Sequence, residues 1–117
     1  MWEIEFYRKP NGECPTEDFI KSIRNSGALP LLDRRLELLG TFGNQLTRPH
    51  VDYLENGIYE LRISFKRNQI RLLYFFFYQD AIIISHGLHK ESRVDPGEIR
   101  KAIANREDYF ARHSRKK

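Results

Sequence analysis

The sequence predicts an α+β domain, in which a small antiparallel β-sheet packs against two N-terminal helices and is followed by a C-terminal helix. We expect the sheet to contain an N-terminal strand and a three-stranded meander. Three observations predict this class. Apolar and polar residues alternate in two separate segments, as they do in half-buried strands. Between those segments apolar residues recur at helical spacing, and a helix-capping signal precedes the last segment.

The first strand is predicted at Trp2–Tyr7, which reads W-E-I-E-F-Y. Its strict alternation places three apolar side chains on one face, those of Trp2, Ile4 and Phe6. The sequence Pro10-Asn11-Gly12 then predicts a turn.

Two helices are predicted next. Thr16–Ser26 carries apolar residues at helical spacing, with Thr16 as the expected N-cap and Gly27 as the stop. Pro30–Phe42 repeats leucine at i, i+4 and i+7, which is typical of a helix with one buried face. Residues 44–56 show no sustained period and contain a proline, so they predict a loop.

The meander follows in three strands. In Ile58–Phe65 the apolar residues take alternate positions, while Glu60, Arg62 and Ser64 share the other face. After a polar connection, Ile70–Tyr78 is a heavily apolar strand, and Ala81–Ser85 is expected to be the third. Adjacent strands of this meander are expected to pair antiparallel, because the connections between them are short.

The C-terminal helix has the clearest start signal. Asp95 is the predicted N-cap, Pro96 occupies the first helical position, and Glu98 at N3 completes a pattern that resembles a capping box. One stripe is expected on this helix, lined by Ile99, Ala102, Ile103, Arg106 and Phe110. The length of 117 residues predicts one domain over 1–117, with 112–117 as a basic tail.

Composition excludes several classes of protein. No apolar run approaches the ~20 residues of a membrane span, and the charged N-terminus leaves no apolar stretch for a secretory signal. We therefore expect a cytoplasmic protein without a membrane partner. The single cysteine, Cys14, has no partner for a disulfide or a zinc site and is read as structural or incidental. Gly-rich phosphate loops and nucleophile elbows are absent from the sequence.

The formal net charge of +4 is local rather than uniform. Residues 57–71 hold four basic side chains and one acidic one, and residues 106–117 hold five basic and two acidic ones. The rest of the chain is slightly acidic. Such clusters point either to solvated surface or to contacts with nucleic-acid phosphates, and the sequence leaves both open.

Arg71 is the most informative charged residue, because it lies in an otherwise apolar strand. One interpretation is a cross-strand ion pair with Glu60. The other is that Arg62 and Arg71 share a sheet face, with Lys66 and Arg67 beside them, and form an RNA-phosphate site. The nearby aromatic residues are expected to be mostly core rather than base-stacking platforms.

Histidines are the remaining candidates for chemistry. His86 and His89 lie three apart at the end of a strand, without a third ligand, so we expect no metal ion and no other cofactor. Solvated loop positions are the favoured interpretation of the histidines. Proton transfer near neutral pH is the functional alternative.

Four blocks of sequence resemble the RelE/ParE toxin superfamily, and most of all its phage-derived, HigB-like branch. In order, the blocks are G-I-Y-E-L-R at 57–62, I-R-L-L-Y-F-F at 70–76, I-I-S-H-G-L-H-K at 83–90, and the helix from Pro96 to Tyr109. The resemblance covers roughly the second half of the chain. It implies the toxin of a type II toxin–antitoxin pair, with a RelE-like fold.

The resemblance also implies an activity and partners. RelE-like toxins are mRNA interferases that cut transcripts on the ribosome without a metal ion, and a helix-turn-helix antitoxin holds them inactive and contacts operator DNA. Arg71 is then expected at the scissile phosphate, with Arg62 and Lys90 positioning the substrate. Either His86 or His89 is expected to transfer the proton, and Glu60 to organise the arginines.

Two alternatives stay open. ParE-like members of the superfamily poison DNA gyrase and need no cleavage site. A non-enzymatic RNA-binding module or an inactivated toxin is the other alternative. It is favoured by Glu91, which replaces the usual second lysine, and by Pro96, which is nearest in register to a tyrosine of RelE.

Overall fold

The computed structural model describes residues 1–90 and 93–113, and it confirms the α+β class. In chain order the elements are β1 (Glu3–Phe6), α1 (Pro15–Ser22), α2 (Ala28–Phe42), a 3-10 turn (Gly43–Gln45), β2 (Val51–Glu55), β3 (Ile58–Phe65), β4 (Asn68–Phe77), β5 (Ala81–His89) and α3 (Pro96–Arg112). Glu91 and residues 114–117 of the predicted basic tail lie outside the described residues.

The five strands form one mixed sheet in the order β1-β5-β4-β3-β2. Strands β2 to β5 make an antiparallel meander, whereas β1 pairs parallel with β5. The meander therefore has four strands instead of three, and the N-terminal strand is not antiparallel to its neighbour. A parallel pair needs a long connection, and α1 and α2 supply it here.

The prediction of a loop at 44–56 is wrong, because this segment contains β2. Val51 pairs with Leu61, and the register shifts between Tyr53 and Glu55. Asn56 and Gly57 connect β2 to β3 with φ angles of 52° and 79°. Two positive φ values in a two-residue connection are typical of a type I′ hairpin, for which Asn-Gly is the favoured sequence.

Helices cover both faces of the sheet. Residues of α1 and α2 pack with alternate residues of β3, β4 and β5, including Leu61, Leu72 and Ile84. On the other face α3 packs on the intervening residues, including Leu73 and Phe75. Buried aromatic residues of β4 belong to these two cores, as expected. The alternation in β3 predicted that the face carrying Glu60, Arg62 and Ser64 is polar. Because α3 packs on this face, part of it belongs to the hydrophobic core.

The ends of the first two helices differ from the predictions, and α2 begins at Ala28 rather than at Pro30. Helix α1 begins at Pro15 and ends at Ser22, and Thr16 is not its N-cap. Thr16 is buried instead, and its hydroxyl donates to the carbonyl of Ile84 at 3.4 Å. In α3, Asp95 is confirmed as the N-cap, since it accepts from the Gly97 amide at 2.7 Å.

Glu98 does not close the capping box, because its carboxylate binds His86. In the predicted stripe of α3, Ile99 and Ala102 are buried, while Phe110 is 39% exposed. Tyr109 is buried in its place. Within 1–90 and 93–113, no helix combines the length and the apolar character that crossing a membrane requires.

Candidate functional site

Three cations surround one carboxylate on the α3 face of the sheet. Glu60 and Arg62 alternate onto this face from β3, and Arg71 comes from β4, directly opposite Arg62 in the register. Lys90 follows β5, where its amide donates to the carbonyl of Gln69 at 2.9 Å. We call Arg62, Arg71 and Lys90, with Glu60 at their centre, the cation cluster.

Glu60 is the centre of the cation cluster and is only 1% exposed. Its Oε2 accepts from Nε of Arg62 at 2.7 Å and lies 4.0 Å from Nζ of Lys90. Its Oε1 lies 3.6 Å from Nε of Arg71. A buried carboxylate is stable only when cations and donors compensate it, so Glu60 fixes where the three positive charges lie.

Arg71 is held deep in the cluster, with its side chain 8% exposed. Its Nη1 donates to the carbonyl of Ile70 at 2.9 Å, and both terminal nitrogens reach Oε1 of Gln69 at 3.5 Å. Burial lowers the pKa of Arg71, while the charge of Glu60 opposes the shift. A guanidinium starts from so high a pKa that it remains a cation at neutral pH.

The contact between Arg71 and Glu60 is present but incomplete. Nε of Arg71 and Oε1 of Glu60 are buried, and neither has a hydrogen-bond partner among the described residues. At 3.6 Å the two atoms attract as charges but are beyond a good hydrogen bond. The predicted cross-strand ion pair therefore exists, and it leaves hydrogen-bonding capacity unused at the centre of the cluster.

Arg62 is the outermost arginine of the cluster, with its side chain 28% exposed. A second carboxylate holds it, since Nη2 donates to Oδ2 of Asp52 at 3.1 Å. Asp52 also accepts two bonds from Arg48, at 3.1 and 3.0 Å. The hydrogen bonds from Arg48 are the main reason that the pKa of Asp52 is lowered, and Asp52 is therefore ionised.

A cleft of about 340 Å³ opens beside the cluster. Glu60, Arg62 and Lys90 line it, and the start of α3 forms its other side. Arg71 is not among the lining residues. Three cations line this cleft, namely Arg62, Lys90 with its side chain 15% exposed, and Arg93, and three carboxylates line it with them, those of Asp52, Glu55 and Glu60.

Lys66 and Arg67, predicted beside the arginines, lie in the exposed turn between β3 and β4. Nζ of Lys66 lies over the ring of Phe65, 5.4 Å from its centroid. The turn begins four residues beyond Arg62, which corresponds to about 13 Å along a strand. These two residues extend the basic surface without joining the cluster.

The two candidate histidines do not lie with the cluster. His86 is buried beneath α3, where Nδ1 meets Oγ of Ser85 at 2.8 Å and Nε2 meets Glu98 at 3.1 Å. Burial is the main cause of its lowered pKa, against the opposing charge of Glu98. His89 pairs with Ile70, and its ring lies 5.0 Å from Phe19 of α1, on the opposite sheet face.

A bulge and strand alternation explain this separation. Leu73 pairs with His86 and Tyr74 pairs with Ile84, so Ser85 is the extra residue in β5. Beyond the bulge, side chains alternate normally, and residues three apart face opposite ways. The expectation of solvated loop positions is wrong for His86, which is a buried strand residue. Among the described residues, no three His, Cys, Asp or Glu side chains come together as metal ligands.

A five-stranded sheet between helical layers, with a carboxylate-centred cation cluster on one face, defines a small basic α+β domain of the RelE-like kind. The chain belongs to a phage-derived family, described as "Phage derived protein Gp49-like (DUF891)", which matches residues 31–107. This family is related to the RelE/ParE toxins. No curated protein matches the chain. The matched segment contains the whole cation cluster and excludes β1 and α1.

Proposed function

We propose that the protein is the toxin of a type II toxin–antitoxin pair, of the HigB-like branch, and that it cleaves messenger RNA on the ribosome without a metal ion. The observation that carries the proposal is the cation cluster, which lies beside a cleft and within the segment that matches the phage-derived family. A helix-turn-helix antitoxin is the proposed inhibitor, and contact with operator DNA would be made through it.

The proposed chemistry is attack of a ribose 2′-OH on the adjacent phosphate. Negative charge then develops on the phosphate oxygens, and fixed cations stabilise that charge because they need no reorganisation during the reaction. Arg62 and Lys90 face the cleft, which supports giving them the direct phosphate contact. Arg71 is more deeply buried, so its proposed role changes to supporting these charges from behind and holding Glu60.

Proton transfer by a histidine has no geometric support in this proposal. His86 is bonded to Ser85 and Glu98, and His89 faces α1. The rate enhancement is therefore assigned to phosphate positioning and charge stabilisation. Removing one such charge-stabilising donor from an enzyme typically slows it by about 10²–10³-fold.

Arg62→Ala and Lys90→Ala test the proposal in a translating extract, with transcript ends mapped by primer extension. Each variant is expected to lose about 100-fold in cleavage rate. Arg34→Ala is the matched control, because Arg34 is exposed on α2, which packs on the opposite face of the sheet from the cleft. Full cleavage by Arg62→Ala and Lys90→Ala would refute the proposed site.

A non-enzymatic RNA-binding module is the second candidate, and the position of the histidines favours it. With neither histidine in the cluster, the site has charges for binding RNA and no group that ordinarily titrates near neutral pH. Retarded migration of RNA without new transcript ends identifies this function. DNA damage that depends on gyrase, again without transcript cleavage, would instead identify a ParE-like toxin.

The proposed antitoxin has its own test. The reading frame next to this gene is expected to encode a small protein with a helix-turn-helix pattern. Co-expression of that protein should relieve growth arrest, and the protein should co-purify with this chain. Absence of such a frame would remove the main support for a toxin–antitoxin pair.

A further inference from the structure

The sheet has an open edge at β1. In the parallel pair with β5, the amides of Glu3 and Tyr7 donate to Asp80 and Ile84, each at 2.9 Å. Alternate residues of a parallel strand pair with one neighbour, so the backbone groups of Ile4 and Phe6 point away from the sheet. Within residues 1–90 and 93–113, no hydrogen-bond partner occupies those groups, and the open part of the edge ends where the Trp2 amide donates to the Gly40 carbonyl at 2.8 Å and Arg112 donates to the Arg8 carbonyl.

A trough of about 830 Å³ runs along this open edge. We call it the β1 trough. Its floor is formed by Ile4 and Phe6, one wall by Leu36 of α2, and the other wall by Tyr109 of α3, while Trp2 closes one end. An unpaired strand edge beside an apolar floor has the form of a site that an additional strand can fill.

The charged residues that line the β1 trough indicate which kind of segment can bind there. Its two arginines are already neutralised, since Arg8 pairs with Glu17 at 2.8 Å and Arg112 pairs with Asp108 at 2.6 Å. Glu5 and Glu37 also line the trough; Glu5 accepts a hydrogen bond from the Tyr109 hydroxyl at 3.1 Å, and neither carboxylate has an ion pair with any described residue. Beside its apolar floor, the trough therefore offers two carboxylates that have no cationic partner among the described residues.

We propose that the β1 trough binds an extended segment of a partner protein, in which apolar residues alternate with lysine or arginine. The segment would add to the sheet as a sixth strand beside β1. Its apolar side chains would pack beside Ile4 and Phe6, and its cations would meet the carboxylates of Glu5 and Glu37. A polyanion such as RNA is disfavoured by the same carboxylates.

A second copy of this chain is a poorer occupant. Two β1 strands paired antiparallel about Ile4 would set Glu3 of each copy against Glu5 of the other. Like charges directly opposite each other destabilise a strand pair. The β1 trough also lies at the other end of the sheet from β2 and β3, so the proposal is independent of RNA cleavage.

Trp2 is the only tryptophan in the chain and lines the trough, so its fluorescence reports binding. The probe is a short capped peptide that alternates lysine and valine, and the proposal predicts a saturable change. Glu37→Lys should weaken binding by about three- to tenfold, since it replaces an attraction by a repulsion. Asp33→Lys makes the same change in charge on α2 outside the trough and should have no effect.

Two matched peptides separate strand addition from simple charge attraction. One alternates glutamate and valine and is expected not to bind. The other keeps the lysine–valine sequence but carries a methyl group on every backbone nitrogen, so it cannot donate to the edge and should also fail. The proposal is overturned if the lysine–valine peptide gives no saturable change in Trp2 fluorescence, or if the methylated peptide binds equally well. It is also overturned if this chain forms a dimer that the lysine–valine peptide disrupts.

Discussion

Two polar groups lie beneath α3, and they are built differently. The cation cluster places one buried carboxylate among three cations and opens to a cleft, and Oε1 of Glu60 and Nε of Arg71 have no hydrogen-bond partner in the described part of the chain. The second group is a chain of hydrogen bonds. Asn105 donates to Ser85, Ser85 meets His86, and His86 meets Glu98.

The two groups therefore have different expected roles. The Ser85–His86–Glu98 chain has its bonds made and lies mostly out of solvent, so it joins α3 to β5 without offering a reactive group. The cluster places Arg62 and Lys90 on a solvent-accessible cleft, where both can make charge-assisted hydrogen bonds to an anion. Changes in the hydrogen-bonded chain should therefore alter folding alone. In the cation cluster, loss of Arg62 or Lys90, which face the cleft, should alter RNA cleavage, whereas loss of the buried Glu60 should alter stability.

The largest effect on stability is expected from Glu60→Gln. The substitution leaves Arg71 buried beside Arg62 without a compensating charge, and breaking a buried pair in this way costs about 3 kcal/mol. Urea denaturation measures the loss of unfolding free energy. Glu107→Gln, on the exposed side of α3, is the control and should change stability by less than about 0.5 kcal/mol. Equal stability of the two variants would contradict the role of Glu60 as organiser.

His86→Ala is expected to lower the unfolding free energy by about 2 kcal/mol, because it leaves a cavity and removes two hydrogen bonds under α3. The same urea experiment measures this loss. Cleavage per folded molecule should stay at the wild-type level. A variant that kept full stability but lost cleavage would reverse the assignment of the two groups.

The pH dependence of stability is expected to be smaller and to have a definite sign. The folded-state pKa of His86 is lowered, so the unfolded chain takes up the proton first as the pH falls. The contribution of His86 to the free energy of unfolding is therefore complete above about pH 6.5. It declines as the pH falls from there to the folded-state pKa of His86. Urea midpoints of the wild type and His86→Gln check this. The variant should show a flatter profile, and parallel profiles would be evidence against the effect.

The smallest effect is expected from Asp52→Asn. Asp52 and Arg62 are both partly exposed, so their ion pair contributes less than about 1 kcal/mol to stability. The variant frees one end of Arg62 and should raise the KM for RNA cleavage several-fold more than it changes kcat. Arg48→Ala keeps the Asp52–Arg62 bond and is expected to have little effect on either. An unchanged KM in Asp52→Asn would show that Arg62 needs no second anchor.

Much of the cluster could be predicted from sequence, because strand alternation and hairpin register are local properties. Period two in β3 places Glu60 and Arg62 on one face, and the short connection to β4 brings Arg71 opposite Arg62. Asp52 was missed because β2 is short and irregular. The Asn56-Gly57 pair was the available signal, since it is the favoured sequence for a tight hairpin.

Other features depend on tertiary structure and left no such signal. The bulge at Ser85 decides which histidine faces α3, and one inserted residue reverses that outcome without changing the apolar pattern of β5. Thr16 looked like an N-cap because threonine favours that position, yet burial against β5 gave its hydroxyl another partner. The parallel pairing of β1 likewise follows from the path of α1 and α2.

The central claim is that the cation cluster, and not the buried histidine, acts on RNA. Transcript cleavage in one translating extract by Arg62→Ala and His86→Gln, each normalised to folded protein, tests it directly. The account predicts a loss of about 100-fold for Arg62→Ala and wild-type cleavage for His86→Gln. Wild-type cleavage by Arg62→Ala, together with loss of cleavage in His86→Gln, would contradict it.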